Sequence, residues 1–218
     1  GGNLVRNLPS KIAIKAVNSA GMGQTIKGLI IDDNNSVVTN FETSHLGMGS
    51  FLLNPQLGKS YRAKIISHEG NERIIDLPKI EESGYVLNIN TDSIKLLAKI
   101  FISDDLLNQS DLSLIAHQYG RTIFTAKIAT SKNYAAVSLP LNDFPSGVST
   151  ITLFNNSSIP VAERLIFINH QTDHINIEPY KLNKVYSKNE EINLVFNTNI
   201  QQDPVMGSFS VSVTDQNL

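Results

Sequence analysis

Apolar and polar residues alternate with a period of two along most of this chain. Ile12, Ile14 and Ala16 fall on one face of an extended segment, and Tyr61, Ala63 and Ile65 on one face of another. Ile94, Leu96, Ala98, Ile100 and Ile102 form a longer stripe, opposed by Lys95, Leu97, Lys99 and Phe101. Phe209, Val211 and Val213 alternate with Ser208, Ser210, Ser212 and Thr214, the pattern of a half-buried strand with its hydroxyls facing water. Turn-forming clusters punctuate these runs: Asp32-Asp33-Asn34-Asn35-Ser36, Gly47-Met48-Gly49, Gly58-Lys59, Glu69-Gly70-Asn71, Pro145-Ser146-Gly147 and Asn155-Asn156-Ser157-Ser158. No long segment has a helical period, and residues 103–109 have room for a turn or two at most. Short strands between regular turns predict an all-β sandwich or barrel.

A faint internal repeat refines this. Phe51-Leu52-Leu53-Asn54-Pro55 leads through Gly58 to Tyr61 and a strand. Val137-Ser138-Leu139-Pro140 leads through Gly147 to the strand near Thr150. An apolar strand, a proline, a loop, a glycine and a second apolar strand thus occur twice, which predicts two copies of one module. Charge, proline and glycine gather in residues 77–84, and a second junction falls at 169–173. The expected organisation is a first β-sandwich over 1–81, a second over 82–170, and the N-terminal part of a third, incomplete one over 171–218. The third has three expected strands, near 175–177, 192–196 and 208–214. Three strands cannot close a sandwich, so this segment is expected to expose an apolar face and an unpaired edge.

Composition fits this reading. The 218 residues give room for two sandwiches of roughly 100 residues each. The hydrophobic fraction of 41% is ample for packed cores, while the charged fraction of 17% lies below the usual value of about 25%. A surface rich in Asn, Ser and Thr suits a strand protein outside the cytoplasm. The net charge of −2, with no basic stripe, gives no footprint for nucleic acid. No apolar run approaches the roughly 20 residues that span a bilayer, so membrane insertion is not expected. There is no signal-peptide pattern. The chain has no cysteine, which removes disulfides, thiolate metal sites and cysteine nucleophiles. It has no tryptophan, so the Trp-on-disulfide core of antibody domains is excluded and aliphatic, Phe and Tyr packing must suffice.

Several phrases, in order, resemble a known family. Gly1-Gly2-Asn3-Leu4-Val5 resembles the tail of a PEGG-x-LV motif. Gly28 through Thr43, then Gly47-Met48-Gly49-Ser50-Phe51, Pro55 and Tyr61, is similar to a pattern of glycines, aspartate, Phe-x-Thr and Gly-x-Gly-x-Phe leading to proline and tyrosine. Leu153-Phe154, Pro160, Ala162-Glu163-Arg164-Leu165 and Ser210-Val211-Ser212-Val213-Thr214-Asp215 fit the same type. Together they resemble the α2-macroglobulin-like (MG) domains of large bacterial envelope proteins, in many of which such domains precede a TonB-receptor plug-like domain. The resemblance implies tandem immunoglobulin-like, macroglobulin-type sandwiches of seven strands and an extracytoplasmic location, in the periplasm or at the outer membrane. It implies no chemistry in these domains. The PE expected before Gly1 is missing, so the chain is expected to be a piece of a longer protein. The implied partners are the parent protein's remaining domains and other envelope proteins.

The residues have physical readings of their own. Gly47 and Gly49 allow positive φ before a strand. Pro55 and Pro140 suit strand ends, where a missing N–H does no harm. Glu163 and Arg164, adjacent on a strand, point to opposite faces, so each needs its own partner.

Candidate chemistry is sparse. The thioester of protease-trapping macroglobulins needs a Cys, and this chain has none. No G-x-S-x-G elbow is present. His45, His68, His117, His170 and His174 are the five histidines. His170 and His174 with Asp173 have metal-ligand types, but they flank an expected linker and read as solvated residues. His117 reads as a rim residue at a strand end. Asp32-Asp33-Asn34-Asn35 lacks the spacing and distal Glu of a calcium loop and reads as a hairpin turn, as does Asp104-Asp105. Tyr61, Tyr85 and Tyr119 read as core or junction packing. No catalytic or metal residue and no cofactor is expected, and no binding residue is singled out. The leading expectation is a non-catalytic structural and interaction module. The alternatives are a glycan- or peptide-binding module of an adhesin or capture protein, or an accessory domain of an enzyme. Fold alone selects none of these.

Overall fold

The computed structural model describes residues 1–66, 72–180 and 185–214. In chain order its strands are β1 (Ser10–Lys15), β2 (Lys27–Asp32), β3 (Val37–Glu42), β4 (Met48–Leu53), β5 (Tyr61–Ile66), β6 (Glu72–Asp76), β7 (Tyr85–Thr91) and β8 (Lys95–Ile102). Then follow β9 (Leu112–Gln118), β10 (Arg121–Ile128), β11 (Tyr134–Pro140), β12 (Gly147–Phe154), β13 (Pro160–Ile168), β14 (Asn176–Tyr180), β15 (Val195–Ile200) and β16 (Asp203–Pro204). The fold is all-β, built from several sheets whose strands pair antiparallel. Residues 103–109 contain one 3-10 turn, Asp104–Leu106.

Topology makes the repeat explicit. In the first copy β1 pairs with β4, and a second sheet has the order β3-β2-β5-β6. In the second copy β8 pairs with β11, and a second sheet has the order β10-β9-β12-β13. The pairs β1/β8, β2/β9, β3/β10, β4/β11, β5/β12 and β6/β13 therefore correspond one to one, and β7 is added beside β8. Both repeated phrases of the sequence are the same crossover. β4 and β11 each end at a proline-bearing loop, and the following strand, β5 or β12, joins the other sheet.

Each stripe read from the sequence is buried where a ladder holds it. Leu96, Ala98, Ile100 and Ile102 of β8 are fully buried, as are Leu112, Leu114 and Ala116 of β9 and Ile151 and Leu153 of β12. Each of these leucine and isoleucine side chains contributes about 1.5–3 kcal/mol. Ile94, at the end of the predicted stripe, lies outside β8 and is exposed. In the first copy Ile30, Phe41, Phe51, Leu53 and Tyr61 form a buried cluster, with Ile12, Ile14, Ala63 and Ile65 packed on it. Both sheets of that copy contribute to this cluster.

Gly28 is needed there for space. It is the cross-strand partner of Phe41, and a Cβ at Gly28 would lie 2.3 Å from the Phe41 ring. The ring thus covers the glycine and packs 6.0 Å from Phe51, centroid to centroid. Gly47 has the expected positive φ of 75°. Gly49 does not, and is required because a Cβ would meet the Glu42 carbonyl.

Three hairpins share one device. Asn18, Asp32 and Asn155 each accept, on Oδ1, the backbone N–H groups two and four residues ahead. The residue three ahead, Gly21, Asn35 or Ser158, has φ between 59° and 78°. A side-chain oxygen thus satisfies two donors that the turn leaves unpaired, which is why Asn and Asp begin these loops.

The chain divides into two compact units. One comprises Gly1–Phe144 with Val148–Phe167, and the other Pro145–Gly147 with Ile168–Leu218. Both copies of the repeat thus lie in the first unit. In the second unit β14 pairs with β15 and β15 with β16. Gln201 and Gln202 both take positive φ, forming the tight turn between β15 and β16. The second expected strand, near 192–196, begins only at Val195. The third, over 208–214, is not a strand: these residues join no ladder and are exposed. Their alternation is a strand pattern, but a strand exists only where a neighbour takes up its backbone groups, and none of the described strands does so.

Candidate functional site: the junction of the two repeats

Residues 1–9 form a strap that binds the two copies. Val5 makes a parallel bridge with Glu81. Arg6 donates its backbone N–H to the Glu81 carbonyl at 3.0 Å, and Glu81 donates to the Leu4 carbonyl at 2.8 Å. Gly1 and Leu87 exchange both backbone bonds. Asn7 turns the strap with φ of 56° and donates to the Pro55 carbonyl.

The strap's side chains pack on both copies. Leu4 belongs to the buried cluster of the first copy. Val5 and Leu8 cluster instead with Val86 of β7, backed by Phe101 of β8. Val86 and Phe101 are cross-strand partners on the face of that sheet opposite the fully buried Leu87 and Ile100. Adjacent residues of an extended segment point to opposite faces, so Leu4 enters the first core while Val5 covers the other face of the second copy's sheet. Phe101 in turn lies 5.2 Å from Tyr134, centroid to centroid, with the two rings tilted by 46°.

Polar contacts close the junction. Asn88 Nδ2 donates to the Pro9 carbonyl at 2.9 Å. Arg164 of β13 donates from Nε to the Leu87 carbonyl at 3.3 Å and from Nη2 to the Lys11 carbonyl at 2.8 Å. Burial lowers the Arg164 pKa from its ordinary value. Its neighbour Glu163 faces the other way and accepts from Thr152 Oγ1 at 2.8 Å. Each member of the pair therefore has its own partner, as their adjacency on a strand requires. Hydrogen bonds from Ser83 and then Ser103 hold the Asp105 carboxyl below its usual range. Burial, followed by the charge of Asp105, pushes the Tyr85 hydroxyl up. Asn88 Oδ1 is buried without a hydrogen-bond partner, a cost of about 1–3 kcal/mol.

Two small cavities flank Arg164. One of about 210 Å³ is lined by the strap, Pro78 and Val86, and one of about 170 Å³ by Lys11, Ser50, Asn88 and Leu165. Both are below the roughly 300–1,000 Å³ of typical small-ligand sites. The larger clefts, of about 610 and 800 Å³, are open depressions, one beside the exposed Lys27–Glu42 pair and one beside Lys59 and Lys79.

The residues with metal-ligand types bond to other groups. Asp173 accepts from Ser146 Oγ at 2.6 Å, and this bond is the first cause holding its carboxyl below the usual range. His174 Nε2 pairs at 2.6 Å with Asn169 Oδ1, and His170 donates its backbone N–H to Ser146 Oγ. His45 sits exposed in a 3-10 turn, and His68 lies outside the described residues. His117 is the penultimate residue of β9, paired with Thr122 and Thr150 just before the turn at 119–120, as expected of a strand end. Asp32, read as a turn residue, caps its hairpin and also accepts from Lys59 Nζ at 3.1 Å. Among the described residues no group of three metal-ligating side chains converges, and no helix is long and apolar enough to cross a membrane.

No family model and no curated protein matches this chain. Among solved structures it is similar to the crystal structure of a DUF3823 family protein from Parabacteroides merdae. The alignment covers 77% of this chain and 100% of the other, at 9% identity and a TM-score of 0.27, a level that carries no assignment.

Proposed function

We propose that this chain is a non-catalytic structural and interaction module of a larger exported bacterial envelope protein. Its two repeats are immunoglobulin-like, macroglobulin-type sandwiches that act as a stiff spacer, and the neighbouring units belong to the same series. The observation that supports this most is the strap. One nine-residue segment puts Leu4 into the first core and packs Val5 on Val86 of the second copy, and its backbone bonds to both copies. Such a connection resists hinge motion, which a spacer requires. The remaining domains of the parent and other envelope proteins are its partners, in the periplasm or at the outer membrane, with a role beside TonB-dependent uptake.

Spin labels at Asn40 and Lys127, one in each repeat, test the stiffness. A single narrow distance distribution is expected. A broad or two-peaked distribution would remove the spacer reading. Cell fractionation with the native gene tests the location, and recovery in the cytosol would overturn it. A second reading, a binding module for glycan or peptide, is favoured by the exposed Leu165 and Phe167 on β13.

A further inference from the structure

We infer that the strap, residues 1–9, is a latch through which the second repeat sets the stability of the first. This goes beyond the spacer reading and stands whether or not the chain is a spacer.

Two chain segments cross between the repeats, and they are tied to each other. One is the strap. The other is the connection from β6 to β7. Its Leu77 and Ile80 pack on the first core. Its Gly84 donates its N–H to Ser103 Oγ at 2.9 Å and accepts the Ser103 N–H at 3.1 Å. The parallel bridge between Val5 and Glu81 joins the two segments. Beside that bridge the strap grips both copies. Leu4 is buried in the first core, while Val5, 1% exposed, and Leu8 pack on Val86 of the second copy.

The two grips support different things. The fully buried Leu87, Leu96 and Ile100 lie on the face of the β7–β8 sheet opposite Val86 and Phe101. Releasing Val5 uncovers Val86 and Phe101 and leaves those three side chains buried. The first core depends on the strap more directly. Leu4 is one of its six buried members, of which Ile30 alone is wholly shielded from water. Leu4 and Val5 are adjacent on one backbone, so a strap lifted from Val86 draws Leu4 out of the first core. That core then loses a buried leucine, the kind of change that opens a small core. Lifting the strap thus loosens one repeat and leaves the other intact.

Hydrogen exchange of the full chain at low denaturant, native against Val5→Asp, tests this. Val5 packs on the second copy, so a merely local effect would fall there. The latch instead makes the amides of β2 and β5 exchange faster by about tenfold or more, while those of β9 and β12 keep their native rates. Val5→Ala should give the same contrast more weakly, and it reads the same quantity if the charged variant does not fold. On a Leu4→Ala background either change at Val5 should add little, because the grip it releases is already gone. Unchanged exchange in β2 and β5 would overturn the inference. So would equal loosening of both repeats, or full additivity of the Leu4 and Val5 changes. The Asn40–Lys127 distances of the native chain report on the spacer separately. A broad distribution there, with the contrast in exchange intact, would remove the spacer and leave the latch.

Discussion

Between residues 85 and 168, alternate side chains of β8, β9 and β12 are wholly shielded from water. Between 176 and 214, no described side chain is. Apolar content does not explain the contrast, since Ile177, Phe196, Phe209, Val211 and Val213 are as hydrophobic as their counterparts. The difference is the number of ladders. The second repeat has seven strands in two sheets, whereas β14, β15 and β16 form one three-stranded sheet. A stripe is stabilising only when a second face removes it from water. The first repeat is intermediate, with fewer fully buried positions and a core that borrows Leu4 from the strap.

Hydrogen exchange should show this contrast most strongly. Amides of β8, β9 and β12 should open only with global unfolding, while those of β14 to β16 should exchange close to the unprotected rate at low protein concentration. Equal protection would remove the distinction. Core truncation comes next. Leu114→Ala should cost about 2–5 kcal/mol in denaturant unfolding, and Ile177→Ala only a small fraction of that. Gly28→Ala should cost about 1–3 kcal/mol, because its Cβ would enter the space of the Phe41 ring. Combining it with Phe41→Leu should recover part of the loss, and strict additivity would rule out the clash as the cause. Arg164→Met keeps the aliphatic stem but loses both carbonyl contacts. It should broaden the inter-repeat distance distribution while leaving the second unit's exchange unchanged.

The smallest effect concerns Asp32. Its carboxyl is held below the usual range first by the Lys59 hydrogen bond and then by the Ser36 amide. A depressed carboxyl contributes stability above its unfolded pKa of about 3.9, and that contribution disappears as pH falls through the lower folded value. Asp32→Asn keeps the turn, because Asn18 and Asn155 cap theirs identically, and removes only the ion pair with Lys59. The variant should therefore melt slightly below the native chain at pH 7, with the gap closing below about pH 4. A gap that persists at acid pH would place the loss in the turn instead.

Much of the architecture was legible because it is local. Period-two stripes marked β1, β5 and β8, and Asp32 and Asn155 marked their turns, since an Asx side chain bonds to amides only two and four residues away. The twin Pro-loop-Gly phrases marked equivalent crossovers before any strand order was known. The strap was not legible. Gly1-Gly2-Asn3-Leu4-Val5 read as the tail of a motif, and nothing nearby indicates that Glu81 and Leu87 are its partners. Arg164 was correctly expected to need partners of its own, but these, the Leu87 and Lys11 carbonyls, lie 77 and 153 residues away.

By itself, the sequence determined where chain can run extended, where it must turn, and that one module occurs twice. Each of these follows from a residue and its neighbours within a few positions. The tertiary structure decided which stripes become buried faces, that one strap packs on both copies, and that residues 208–214 carry a strand's pattern without being one. Those outcomes depend on ladder partners and opposing sheets that sequence spacing does not specify. A strand's backbone hydrogen bonds belong to its neighbours, and only the folded chain supplies them.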